Sequence, residues 1–164
     1  MCPLQQNSSF KHTQSSSSLW SQKELGFSPS KPSFQNNLLH QAVENQDCDL
    51  LLELINNHVY DINQPGWLKE TALHLAAANN SKKILTILLA NGAEITTSAC
   101  GQTPLHVAAE KGSLACIELL TEHDESQLTM LSNWGTPLDE ARRYHHDEAV
   151  TYLEAQSAIR CDFK

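Results

Sequence analysis

From residue 37 into the 150s, apolar positions cluster at steps of three or four residues, the spacing of one face of an α-helix. The clusters come in pairs. Leu39 with Ala42 marks a first helical face, and Leu51 with Leu54 a second. The pairing returns at Leu73/Ala76 with Leu85/Leu88, at Leu105/Ala108 with Ile117/Leu120, and at Leu138/Ala141 with Val150/Leu153. Polar breaks separate the helices of each pair: Asn45-Gln46-Asp47, Asn79-Asn80, Lys111-Gly112 and His145-His146. Asn and Gly tolerate the left-handed conformation that ends a helix. Polar turn stretches such as Asp61-Ile62-Asn63-Gln64-Pro65-Gly66 and Asn91-Gly92-Ala93-Glu94 follow the second helices. The prediction is an all-α dominated repeat solenoid of helix-turn-helix units.

The pattern is a repeat. The first leucines, Leu39, Leu73, Leu105 and Leu138, are separated by 34, 32 and 33 residues. Nine residues after each shared alanine stands an apolar residue, and twelve after it a leucine. Thr71, Thr103 and Thr136 stand where N-caps belong, and Pro104 and Pro137 follow in the first helical turn, where no N–H is needed. Thr103-Pro104-Leu105-His106-Val107-Ala108-Ala109-Glu110-Lys111-Gly112 resembles the core motif of the ankyrin repeat. Thr71-Ala72-Leu73-His74-Leu75-Ala76-Ala77 does too, and Leu88-Leu89-Ala90-Asn91-Gly92-Ala93-Glu94-Ile95 resembles the family's second helix and following turn. The resemblance implies L-shaped units, each with two antiparallel helices and a β-hairpin loop, stacked to give a concave binding face. The units are placed at about 36–68, 69–100, 101–133 and 134–157, making a repeat domain of 36–157.

Departures from the motif carry information of their own. The first unit lacks Thr-Pro before Leu39. The last has Asp139, Glu140 and Arg142 where the middle units carry His, an aliphatic residue and Ala. Terminal repeats show a polar outer face to water, so these read as caps. Lys69 and Trp134 stand where the family usually has Gly before Thr, whereas Gly101 keeps it. The linker from Glu122 to Trp134 departs most from the family.

Composition changes near residue 36. Residues 1–35 are rich in Ser, Gln, Asn, Lys and Pro and read as a disordered or loosely docked tail, because they bury too little to offset ordering entropy. An apolar island, Leu19-Trp20 and Leu25-Gly26-Phe27, is read as local packing or a linear docking motif. Residues 158–164 read as a short C-terminal tail. No apolar run approaches the roughly 20 residues of a spanning helix, and the start of the chain lacks the basic and apolar regions of a secretory signal. The formal net charge of −8 disfavours nucleic acid, which needs clustered Lys and Arg. Five cysteines at wide spacings, Cys2, Cys48, Cys100, Cys116 and Cys161, point to reduced thiols and an intracellular protein, cytoplasmic or nuclear.

Candidate chemistry reads as structural. His40, His74 and His106 share one register position, which the family resemblance makes a hydrogen-bonding position between hairpins and helix starts. Tyr144-His145-His146-Asp147-Glu148 is dense in ligand types but lacks the HxxH or HxxxH spacing of a metal site. Cys100 near His106 has no visible cleft or oriented base. Cys161-Asp162-Phe163-Lys164 fits the prenylation pattern poorly. The expectation is no enzyme, no metal and no cofactor.

A protein partner is expected instead, with neither nucleic acid nor membrane, and a monomer when free. Ankyrin partners touch hairpin tips and the exposed side of the first helices. The register maps that surface to Trp67, Leu68, Glu70, Ala78 and Asn79; to Ala99, Cys100, Gln102, Glu110 and Lys111; and to Ser132, Asn133, Trp134, Arg143 and Tyr144. The alternative for each tryptophan is to fold back into the hairpin layer. An adaptor, inhibitor or targeting subunit is the leading expectation. A pathogen or viral ankyrin protein delivered into a host cell is the alternative, and an enzyme with a cryptic Cys/His site the remote one.

Overall fold

The computed structural model describes residues 37–58 and 60–161, with the side chains of 160 and 161 excepted. The 1–35 segment with its Leu19–Phe27 island, Cys2, the Cys161 side chain and residues 162–164 lie outside the described residues.

Among the described residues, eight α-helices follow in the predicted pairs: α1 Leu38–Glu44 with α2 Cys48–Asn56, α3 Ala72–Ala78 with α4 Lys82–Ala90, α5 Pro104–Lys111 with α6 Leu114–His123, and α7 Pro137–Arg143 with α8 Asp147–Cys161. The first helices α1, α3, α5 and α7 pack in one row and the second helices α2, α4, α6 and α8 in another. Helix α8 runs beyond residue 157, where the repeat block was expected to end. Each unit can bury its apolar face only against its neighbours, which is what makes the stack cohere.

The register holds at side-chain level. The shared alanines Ala42, Ala76, Ala108 and Ala141 are fully buried, as are Leu39, Leu51, Leu85, Leu88, Leu105, Ile117 and Leu120. Leu138 and Val150, at the same positions in the last described unit, are only partly buried, because no described unit covers their outer side. The breaks between paired helices each place one residue at positive φ: Gln46 at 59°, Asn80 at 52°, Gly112 at 66° and His145 at 60°. Gly112 also needs its missing side chain, since a Cβ there would stand 2.5 Å from His146 Nδ1.

Hydrogen bonds tie each break to the unit before it. Asn79 Nδ2 donates to the Val43 carbonyl at 3.3 Å, Ser113 Oγ to that of Ala77 at 3.3 Å, and His146 Nε2 to that of Glu110 at 2.9 Å. In the Tyr144–Glu148 cluster, Tyr144, His145 and His146 thus form the turn between α7 and α8, Asp147 and Glu148 open α8, and His146 holds two units together.

At His74 and His106 the recurring histidine has the structural use that the family resemblance implied, whereas His40 meets Asn37 Oδ1 through its Nδ1 at 2.7 Å. Thr71 N–H donates to His74 Nδ1 at 3.2 Å, which leaves the Nε2 proton to reach the Gln102 carbonyl at 3.0 Å. His106 repeats the arrangement with Thr103 N–H at 3.1 Å and the Gly135 carbonyl at 3.1 Å. Each imidazole therefore satisfies an orphan donor at its own helix start and grips the next turn. Burial pushes His74 down to about 4, against the Gln102 carbonyl, with His106 adding to the fall. Burial also lowers His40 and His106, against the carbonyls of Glu70 and Gly135 respectively.

Candidate protein-binding surface

Three tight turns project between the units. Gly66 N–H donates to the Glu70 carbonyl at 2.7 Å, and Glu70 N–H to that of Trp67 at 3.0 Å. Ser98 N–H donates to Gln102 O at 2.8 Å, and Gly101 N–H to Ser98 O at 3.0 Å. Ser132 N–H donates to Gly135 O at 2.9 Å, and Gly135 N–H returns to Ser132 O at 3.3 Å. The backbone stitches the turns into a row, Ala99 N–H to Leu68 O at 2.6 Å and Asn133 N–H to Cys100 O at 3.1 Å. The expected β-hairpins are reduced to these turns. Among the described residues only one isolated antiparallel bridge forms, Ser132 to Gly135.

The first turn is strained. Leu68 and Lys69 both lie at positive φ, 56° and 59°. Left-handed backbone costs a residue with a Cβ about 1–2 kcal/mol. Gly101, at the position equivalent to Lys69, takes φ 77° without that cost. In the third turn the glycine has moved one residue along, so that Gly135 rather than Trp134 carries positive φ, at 115°.

Apolar side chains crowd this row on the outside. Trp67 is 68 % exposed and Leu131 73 %, and Leu68, Met130, Trp134 and Tyr144 are exposed as well. Beside the third turn, Gln102, Glu110, Trp134, Glu140, Arg143 and Tyr144 line a hollow of about 180 Å³. Its floor is the Glu140 carboxylate, only 1 % exposed. Glu140 Oε1 accepts from Ser132 Oγ at 3.0 Å, and Oε2 from Gln102 Nε2 at 3.2 Å. Burial raises the Glu140 pKa, the Gln102 and Ser132 hydrogen bonds and the charge of Arg143 oppose the rise, and Glu110 reinforces it. At the rim Lys111 pairs with Glu110 at 2.8 Å, and Arg143 Nη2 donates to the Trp134 carbonyl at 3.3 Å. Burial raises the Glu70 pKa too, with Glu110 adding and Lys111 opposing.

A family model described as ankyrin repeats matches the chain in three overlapping copies, over residues 19–99, 39–130 and 92–163. The chain belongs to the ankyrin-repeat family. It is 35 % identical to NF-kappa-B inhibitor alpha of Gallus gallus over 89 residues, 52 % of this chain and 28 % of that protein. It is 28 % identical to the putative ankyrin repeat protein FPV022 of fowlpox virus over 113 residues, 69 % of this chain and 19 % of that protein. Tyrosine-protein kinase Shark of Drosophila melanogaster matches at 31 % over 119 residues, 71 % of this chain and 13 % of the kinase. The chain thus spans less than a third of each of these three relatives.

The ankyrin register placed most of the mapped residues on this face, with two corrections. Trp67, Leu68, Lys111, Asn133, Trp134, Arg143 and Tyr144 are exposed, and Glu70, Cys100 and Glu110 half-buried. Trp67 does not fold back into the turn layer. Gln102, expected to face a partner, is buried with its amide committed to Glu140, and Asn79 spends its amide on Val43. Glu140, read as a cap residue facing water, is buried instead. It stands four residues after Thr136, as Leu75 and Val107 stand after Thr71 and Thr103, and this position faces inward. Sequence reasoning also passed over Met130 and Leu131, although an apolar pair outside any helical period was a readable signal.

Cys48, Cys100 and Cys116 are free thiols. Burial pushes the Cys116 thiol up to about 11, against Lys82, so it stays protonated and inert. A second hollow, about 280 Å³, is lined by Ile55, His58, Tyr60, Asp61, Ile62 and Asn91 and holds no cysteine.

Proposed function

We propose that this ankyrin stack is a non-catalytic protein-binding module whose partner lies across the three turns and the hollow beside α7. One observation carries the reading: Trp67, Leu68, Leu131, Trp134 and Tyr144 expose large apolar surfaces along a single row of turns and its neighbouring helix end. Tryptophan and tyrosine dominate interface hot spots, and grouped exposed apolar side chains mark interaction sites. The strained Leu68-Lys69 turn supports it, because backbone strain collects where binding needs a fixed presentation.

The relatives carry repeats like these in an NF-kappa-B inhibitor and in a tyrosine kinase, so the repeat serves proteins of different activities. For this chain the reading is occupation of a partner's surface, as an adaptor, inhibitor or targeting subunit. Free thiols at Cys48, Cys100 and Cys116 suit a reducing intracellular compartment.

The test is affinity capture with the wild-type chain and with a Trp67→Ala/Leu131→Ala/Trp134→Ala variant of unchanged helicity. Loss of a specific partner in the variant is expected. Undiminished capture would remove the turn row as the binding surface.

A further inference from the structure

The hollow beside α7 holds chemistry that the exposed apolar row does not account for. Trp134 and Tyr144 are among its lining residues, together with Glu140, whose side chain is buried. The stack does not require a carboxylate there, since Leu75 and Val107 occupy that register in the middle units. Withdrawing a carboxylate from water is costly unless a cation compensates it. Glu140 receives hydrogen bonds only from neutral donors, the Gln102 amide and the Ser132 hydroxyl. Neither the Lys111–Glu110 pair nor the Arg142–Glu154 pair includes it. Arg143 lines the same hollow but turns its Nη2 to the Trp134 carbonyl. The site thus combines a buried carboxylate with no direct ion-pair contact, on which the charge of Arg143 acts from the lining, with two aromatic residues and a second carboxylate, Glu110.

We propose that this hollow seats an arginine side chain presented by the partner, its guanidinium stacked against Trp134 and Tyr144 and directed at Glu140 and Glu110. The inference rests on the binding reading above and names the partner's chemistry, a basic segment. A guanidinium is planar, weakly hydrated and forked, so it stacks on an aromatic face while bonding a carboxylate. An acidic segment would meet Glu70, Glu110 and Glu140 as like charges and be rejected. The formal net charge of −8 also steers basic partners toward the chain.

The probe is a nine-residue alanine/serine peptide with one central arginine, titrated into the 15N-labelled full chain. Matched peptides carry citrulline or lysine in its place. The signals followed are the Trp134 indole N–H and the Gln102 side-chain amide, with the Trp67 indole as internal reference. The arginine peptide is expected to move the first two and leave Trp67 in place. The citrulline peptide should bind about tenfold more weakly, a step of about one power of ten in Kd. Glu140→Gln should weaken the arginine peptide to a similar degree. Glu110→Gln, which leaves the floor intact, should weaken it about fivefold. Equal response to citrulline, a lysine peptide that binds as well, movement confined to Trp67, or no movement at all would each overturn the arginine seat. If the peptide fails while partner capture still depends on Trp67 and Leu131, the arginine seat falls and the binding module stands. If capture is also indifferent to those residues, both fall.

Discussion

Helices α5 and α7 occupy equivalent places in successive units and start on the same Thr-Pro pair, yet the side chains at their third and fourth positions differ. In α5 the third helical position is His106, which caps its own helix start through Thr103 and reaches the next turn at Gly135. In α7 it is Asp139, whose Oδ2 accepts from Thr136 N–H at 2.9 Å and from Thr136 Oγ1 at 2.8 Å. The aspartate keeps the capping half of the histidine's work and drops the reach, for no described unit follows. One position further on, Val107 seals the third unit where Glu140 floors the hollow in the fourth. The middle of the stack uses its register for cohesion. Its last described unit places a carboxylate at the same register, in the lining of the hollow.

The largest expected effect separates the two units by packing. Leu105→Ala should cost about 2–5 kcal/mol, since the side chain is fully buried between neighbours. Leu138→Ala, at the same register but half-covered, should cost about 1 kcal/mol. Urea unfolding of the two variants checks this, and equal losses would erase the distinction between the units.

Next comes pH. His74 is neutral in the fold, with its pKa lowered from 6.5 to about 4 by burial. Between those values the unfolded chain binds a proton that the folded chain refuses. The stability tied to this histidine is therefore complete above about pH 6.5 and is lost as pH falls toward about 4, by at most about 3 kcal/mol. Asp139 behaves oppositely. Its bonds to the Thr136 backbone and hydroxyl lower its pKa below 3.8, so its contribution is present above that value and disappears only as pH falls through the lower, folded pKa. Acid should thus loosen the histidine-linked middle before it releases the α7 cap. Urea melts at a series of pH values in a Trp20→Phe/Trp67→Phe background, with Trp134 fluorescence reporting on the fourth unit, read this directly.

Much of this contrast was legible in the chain. The helix pairs, breaks and caps follow from local spacing and from residue types that act on their own backbone, so Thr103, Pro104 and Gly112 announce their positions. Glu140 was misread because its burial depends on which side of α7 meets α5, which composition does not reveal. The route from α6 to α7 was equally hidden. It turns on Gln127, buried in a short 3-10 helix at Glu125–Thr129, whose amide reaches the Leu120 and Asp124 carbonyls at 3.4 Å each while its Oε1 accepts from Leu105 N–H. Nothing local marks a glutamine for such a task, and the exposed Met130 and Leu131 follow from that route.

Two smaller substitutions sharpen the comparison. Glu140→Val restores the aliphatic chemistry of the middle units and should raise stability by about 1 kcal/mol while abolishing the response to the arginine peptide. Lys69→Gly relieves the left-handed strain of the first turn and should stabilise by about 0.5 kcal/mol in thermal or urea melts. A destabilising Lys69→Gly would mean that its φ of 59° carries no strain.

Hydrogen–deuterium exchange of the full chain with and without its captured partner tests the surface most directly. Protection is predicted at the turns 66–70, 98–102 and 130–135 and around Arg143–Tyr144, with the second helices α4 and α6 unchanged. Protection confined to α4 and α6, with the turns exchanging as in the free chain, would contradict the account.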